Sequence, residues 1–113
     1  PLERARSLLT KIKRDDNSWP FLKPVDPVAL GIPTYFDIVR NPMDLSTVQK
    51  KLAKKSYFSA ADFVADLLLI FDNCFLFNPP DTPVHECGKN LYDATAKLLE
   101  QDDWVRWFKM SVE

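Results

Sequence analysis

Apolar residues recur at helical spacing in four stretches of the chain, and prolines fall between them. In the first stretch Leu2, Ala5, Leu9 and Ile12 lie three and four apart with basic residues between them, which predicts a helix over residues 2–14. The polar run Asp15-Asp16-Asn17-Ser18 favours a turn and ends it. Asp44 is placed to cap a second helix over 44–54, which carries Leu45, Val48 and Leu52 and closes in Lys54-Lys55. Ser59-Ala60-Ala61-Asp62 resembles a capping box, with Asp where Glu is commoner, and opens a third helix over 59–77. Phe63, Leu67, Phe71, Cys74 and Phe75 share one face of it, and Val64, Leu68, Ile70 and Phe77 widen the apolar surface, so this helix should be the most buried. After a short loop, 78–82, Thr82 caps a fourth helix over 83–101 with Pro83 at its favoured first position. Val84, Cys87, Leu91, Ala94, Leu98 and Leu99 give that helix its core-facing stripe. The tail 102–113 holds Trp104-Val105-Arg106-Trp107-Phe108, apolar enough to pack as a helical extension or a folded-back turn.

Four helices with short links except one predict an all-α fold, an antiparallel four-helix bundle making a single domain over 1–113. The exception is the long proline-rich loop 15–43 between the first two helices. Connections above roughly 15 residues without regular structure are uncommon in compact domains and usually functional. Trp19, Phe21, Val25, Leu30, Ile32, Tyr35 and Phe36 are too apolar for a solvated linker, so the loop must fold back on the bundle. Its prolines reduce the entropy lost in ordering it. Where it meets the loop after the third helix, a cleft at one end of the bundle is expected, and that cleft is the candidate site.

Composition then narrows the function classes. The 113 residues suit one small domain, and 46% hydrophobic with 12% aromatic residues excludes intrinsic disorder. A formal net charge of −1 excludes an overall electrostatic grip on nucleic acid. No apolar run reaches the length of a membrane span, and no signal peptide opens the chain. Gly31 and Gly88 are the only glycines, so phosphate-cradling loops and dinucleotide fingerprints are absent. Gly88 inside the fourth helix costs about 1 kcal/mol against Ala and points to a close helix approach. Cys74 and Cys87 form no CxxC pair and suit a reducing compartment. The single histidine, His85, has Cys87 two residues on and facing elsewhere, which gives no nucleophilic pair, and one His with two Cys is too few for a closed zinc site. Lys50-Lys51 and Lys54-Lys55 read as a solvated helix end that complements the dipole, with a weak contact to DNA phosphate as the lesser alternative. The start at Pro1, without Met, suggests a domain excised from a larger protein.

Over residues 3–101 the sequence resembles a bromodomain. The residues that carry the likeness are Trp19-Pro20-Phe21, Pro24-Val25-Asp26, Pro33-Thr34-Tyr35-Phe36, Asn41-Pro42-Met43-Asp44-Leu45-Ser46-Thr47 and Asp72-Asn73-Cys74-Phe75-Leu76-Phe77-Asn78-Pro79. Trp-Pro-Phe together with Pro-Val-Asp-Pro-Val-Ala-Leu over 24–30 resembles the bromodomain and extra-terminal subfamily, and Asn78-Pro79-Pro80-Asp81 its second domain, particularly in fungal forms. The resemblance implies a left-handed bundle that reads acetyl-lysine on histone tails (H3 or H4) or other acetylated proteins. It implies a nuclear, non-enzymatic module of a larger chromatin regulator, monomeric when isolated and without a cofactor. Asn78 matches the asparagine that donates to the acetyl carbonyl, and Tyr35 the tyrosine that reaches it through water. Trp19, Pro20 and Phe21 match the shelf, Val25, Leu30 and Ile32 the loop lining, Cys74 and Phe77 the wall, and Val84 the gatekeeper. Two positions depart from the pattern: Phe77 replaces a common Tyr, and Thr82 stands where second domains often carry His.

The chemistry fits those residue types. A lysine ammonium is costly to bury without a partner, whereas its acetylated form is a neutral amide with one strong acceptor. Apolar walls from Phe21, Val25, Leu30 and Ile32, one amide donor from Asn78 and water held by Tyr35 suffice to tell them apart. Asp26, Asp37 and Asp81 near the expected mouth would attract basic tails. Taken singly the residues have plainer explanations. Asn78 alone reads as a helix-ending residue, Tyr35 as a packing aromatic, and one of Trp19 and Phe21 as core cover. The competing function is a helical docking domain that binds a partner whatever its acetylation.

Overall fold

A computed structural model of the chain describes residues 2–101, so the expectation for the tail segment Trp104–Phe108 lies outside the described residues. Five helices are present among them: α1 (Leu2–Arg14), α2 (Tyr35–Ile38), α3 (Leu45–Ala53), α4 (Ala60–Phe77) and α5 (Pro83–Gln101), with a 3-10 turn at Trp19–Phe21. The four long ones close a ring: α1 packs on α3 and α5, and α4 packs on the same two from the other side. This is an all-α four-helix bundle. The seam between α4 and α5 runs antiparallel, because Phe71 meets Tyr92 (ring centroids 5.5 Å apart) while Phe75 meets His85 (5.0 Å).

Local chemistry sets the helix ends. Asp44 is buried because its carboxylate is fully used at the start of α3. It accepts from the Ser46 and Thr47 backbone N–H groups at 3.0 and 3.2 Å and from both hydroxyls. At the other end Ser56 N–H donates to Lys51 O (2.9 Å) and Lys55 N–H to Leu52 O (3.1 Å), a Schellman closure. It puts Lys55 at φ 56°, where glycine is the usual occupant. Ser59 Oγ accepts from Asp62 N–H at 3.3 Å and opens α4, so the first half of the expected capping box is made.

The core is built from Ala5, Leu8, Leu9 and Ile12 of α1, Leu45, Val48 and Leu52 of α3, the inward face of α4 and Leu91 of α5. Leu8, fully buried, was missing from the expected stripe. A helix wedged between two partners buries a wider arc than a single stripe of spacing reveals. Phe75 and Leu68, both expected inward, are 36% and 38% exposed. Phe75 lies at the outer edge of the α4–α5 seam and packs on the rings of His85 and Tyr92 instead of the core. Gly88 lies at a close approach of the two helices: a Cβ there would lie 2.5 Å from Cys74 Sγ.

The segment 15–43, expected to lack regular structure, holds the 3-10 turn, α2 and one further turn. Asp26 Oδ1 accepts from the Val28 and Ala29 N–H groups at 3.1 and 3.2 Å, Pro27 takes the first position, and Gly31 at φ 67° ends the turn with Ile32 N–H on Pro27 O (2.9 Å). Both ends of the segment are tied to the bundle. Ser18, itself buried, donates from Oγ to Lys13 O at 2.9 Å, and the buried Asn73 of α4 donates from Nδ2 to Asn41 O at 2.8 Å.

Candidate functional site

The long loop and the α4–α5 link meet at the C-terminal end of α4, where the helix runs out against Pro79-Pro80 and cannot continue. Asn78 caps it. Its backbone N–H donates to Cys74 O at 2.9 Å, and its side-chain Nδ2 donates to the same carbonyl at 3.0 Å, which fixes the carboxamide against the helix end. An amide nitrogen carries two protons. The second leans towards Cys74 Sγ at 4.0 Å, a weak acceptor that a carbonyl oxygen would displace. Asn78 is half-buried, so this proton is available to a ligand of modest size.

Four other residues gather round it. Cys74, 5% exposed, donates from Sγ to Val84 O at 3.5 Å, joining the wall of α4 to the first turn of α5. Burial pushes its thiol up to about 11, more than the nearby Asn78 amide pulls it down, so the group stays protonated at neutral pH and contributes as an apolar surface. Phe77 of α4 receives the ring of Tyr35 edge-on, with centroids 4.8 Å apart. Tyr35 is 7% exposed, and burial, followed by the neighbouring Cys74, raises its phenol above the ordinary tyrosine value. Among the described residues Thr95 Oγ1 alone is a solvent-inaccessible side-chain polar atom without a partner. Among the described residues the Tyr35 hydroxyl makes no hydrogen bond, which leaves its donor and acceptor to a water. Phe77, standing where the pattern commonly has Tyr, lacks that hydroxyl and presents a purely apolar ring.

The remaining sequence-derived residues stand further out. Phe21 is 7% exposed and packs edge-on against Phe71 (6.4 Å), so of the pair Trp19 and Phe21 it is Phe21 that covers the core. Trp19 is 59% exposed, Leu30 64% exposed, and Pro20, Val25 and Ile32 are half-buried. No hydrogen bond or ring contact among the described residues links these side chains to Asn78. Ile32 is coupled to Tyr35 through the backbone, its carbonyl accepting from Tyr35 N–H at 3.1 Å.

One member was not anticipated. His85 Nδ1 lies 2.9 Å from Asn78 O, and its ring packs on Phe75. With Nδ1 as the donor, the imidazole ties the backbone carbonyl of residue 78 across the α4–α5 link. The signal in the sequence was the spacing: a side chain at the third position of α5 faces back over the residue that ended α4.

A cavity of about 540 Å³ lies elsewhere, between α1 and α3, and is lined by Arg6, Lys13 and Arg14 among others. Its cationic lining suits a different ligand, whereas one amide donor converges with an apolar wall at the α4 end.

Comparison with known proteins agrees in kind. A family model described as Bromodomain matches residues 5–90. The chain is 51% identical over 83 residues to the SWR1 complex bromodomain subunit bdf1 of Schizosaccharomyces pombe, covering 74% of this chain and 14% of that protein. It is 49% identical over 90 residues to Bromodomain-containing factor 2 of Saccharomyces cerevisiae, covering 80% and 14%. The structure of the human BAZ1A bromodomain superposes with a TM-score of 0.84 at 33% identity, over 89% of this chain and 92% of that one. The chain thus spans about one-seventh of the length of these two fungal relatives.

Proposed function

The chain belongs to the bromodomain family, and we propose that it reads acetyl-lysine on histone tails as a nuclear, non-catalytic module of a larger chromatin or transcription regulator. The observation that carries this reading is the half-buried carboxamide of Asn78, held by Cys74 O with one proton to spare, beside Tyr35, Phe77, Cys74 and Val84. An acetyl carbonyl takes the spare proton, its methyl meets the apolar wall, and water at the Tyr35 hydroxyl completes the contact. An ammonium finds no carboxylate among those residues and must shed its hydration without return. The fungal relatives, one of them named as a subunit of the SWR1 complex, support a chromatin role.

Titration calorimetry with acetylated and unmodified H3 and H4 tail peptides tests it. The expected outcome is a dissociation constant of roughly micromolar order or weaker for acetylated peptides, in keeping with a small contact, and no heat from unmodified ones. Equal binding of both would transfer the function to modification-independent docking, the reading favoured by the exposed Trp19, Val28 and Leu30 on the loop.

His85 acts here as a positioning residue. His85→Phe keeps a ring against Phe75 and removes the donor to Asn78 O; it should weaken the acetyl-peptide by about 3–10-fold, the worth of one neutral hydrogen bond. His85→Asn, which restores a donor, should recover part of the loss. Equal affinity in all three proteins would show that the Asn78 carbonyl needs no such tie.

A further inference from the structure

The formal net charge of −1 conceals a strong separation of charge. Residues 2–14 carry Arg4, Arg6, Lys11, Lys13 and Arg14 against Glu3 alone, and residues 45–55 carry Lys50, Lys51, Lys54 and Lys55 with no acid. These two segments are α1 and α3 with its C-terminal turn, and they lie side by side. The acidic excess falls on the rest of the chain. Between the two helices runs the groove of about 540 Å³, with Leu9 and Leu52 as its floor, Arg6, Lys13 and Arg14 along one wall and Gln49 on the other. No carboxylate lines it. Lys13 Nζ donates to Gln49 Oε1, which joins the two walls. Lys51 is turned away to Asp66, with Nζ 2.7 Å from the carboxylate. Arg6, Arg14, Lys50 and Lys54 make no ion pair among the described residues, so their charge is uncommitted.

We propose that this groove is a second binding surface, for the sugar–phosphate backbone of duplex nucleic acid. It is separate from the acetyl-lysine reading and does not depend on it. Arg6 and Lys13 are seven residues apart, about 10 Å along the helix axis, so the cations face a rod of charge and not a single anion. Duplex DNA supplies one charge per about 1.7 Å of its axis, twice the density of an extended acidic peptide at about 3.4 Å per residue. The floor leucines are buried, and no exposed aromatic or sheet edge lines the groove, so a protein partner would find nothing to anchor a side chain or pair a backbone. Binding of this kind is independent of base sequence and weak, roughly 10–100 micromolar at physiological salt.

The test is fluorescence anisotropy of a labelled duplex of about 20 base pairs, titrated with the domain between about 50 and 200 mM monovalent salt. Three to four phosphate contacts give a slope of log K on log salt of about −3, or roughly a 60-fold loss across that range. The variant carrying Arg6→Glu, Lys13→Glu and Arg14→Glu should bind at least about tenfold more weakly at the lower salt, and its neutral Gln counterpart should lie between. Reversal of Lys89 and Lys97 on α5 should change affinity by less than twofold, and thermal melts confirm that each variant is folded. Absence of binding at the lower salt overturns the proposal. So does an unchanged affinity in the α1 variant, or displacement of the duplex by poly-glutamate at equal charge, which would assign the groove to an acidic protein.

Discussion

Asn78→Ala should remove measurable affinity for acetylated peptide while leaving the domain folded. Without the amide, the acetyl carbonyl would sit unpaired against Phe77, Cys74 and Val84. Leaving a buried acceptor unsatisfied costs about 1–3 kcal/mol, which is roughly a 5- to 150-fold loss and enough to move a micromolar contact out of calorimetric range. The fold loses less. The backbone N–H of residue 78 still donates to Cys74 O, and only the side-chain bond to that carbonyl disappears. That bond is worth about 1 kcal/mol, a fall in melting temperature of about 4–5 °C for a chain of this size. Asn78→Asp separates shape from chemistry, because it keeps the outline and the acceptors but deletes the donor. It should fail as Ala does. Retained affinity in either variant, with an intact melt, would remove Asn78 from the recognition role.

Gly88→Ala should destabilise the domain by about 2 kcal/mol, the opposite of what helix propensity alone dictates. In a helix interior Ala is favoured over Gly by about 1 kcal/mol. Here the new methyl would lie 2.5 Å from Cys74 Sγ and 3.3 Å from the Phe75 ring. Cys74 has one short rotor on a buried helix and is joined to Val84 O, so it has little room to withdraw. Overpacking of this kind costs typically about 1–3 kcal/mol, and the seam must open to relieve it. A melting temperature lower by roughly 8–10 °C is expected. Cys74→Ala removes the sulfur from the path, so the double variant should be more stable than the two single effects added together, by about 1 kcal/mol or more. A Gly88→Ala protein as stable as the parent, or strict additivity in the double variant, would show that the helices do not touch there. The same variant should also weaken the acetyl-peptide, since the Cys74 carbonyl that holds Asn78 moves with the helix.

The all-α bundle was legible because its signals are local. Caps such as Asp44 and Ser59 need only the next three residues, and apolar spacing within a helix reports the side it buries. Gly88 was legible as a close approach for the same reason: a helix tolerates such a residue at a cost only where something else requires the space. What escaped depends on neighbours distant in sequence. Leu8 and Phe75 lie at the edges of their helices' apolar arcs, and only the placing of two flanking helices decides which edge is covered. The turn over Asp26 to Gly31 carried its signals, an Asx residue, a proline and a terminal glycine, but their shortness hid them inside a segment dominated by prolines. The Asn73 side chain reaches a carbonyl thirty-two positions earlier, a link no local pattern announces. At the candidate site Asn78, Tyr35 and Phe77 belong to readable motifs, whereas the sequence offers His85 only as a thiol's partner or a zinc ligand, and its bond to the backbone carbonyl of Asn78 depends on the folded α4–α5 link. The lysine run reads as a solvated helix end with a weak contact to DNA phosphate as the lesser alternative, and its juxtaposition with the cations of α1 exists only once the chain is folded.

The two ties that hold the long loop, Ser18 to Lys13 O and Asn73 to Asn41 O, divide responsibility along it. Residues 24–34 contribute nothing to the buried core cluster and are shaped by their own turn. On the acetyl-lysine reading proposed above, substitutions there would retune which flanking residue is preferred without taxing the bundle. Changes at 18 or 73, whose side chains make those ties, would instead unhitch the whole flap. Selectivity and foldability are thereby written in different letters of the same segment, which leaves a lineage free to explore new ligands on an unchanged frame.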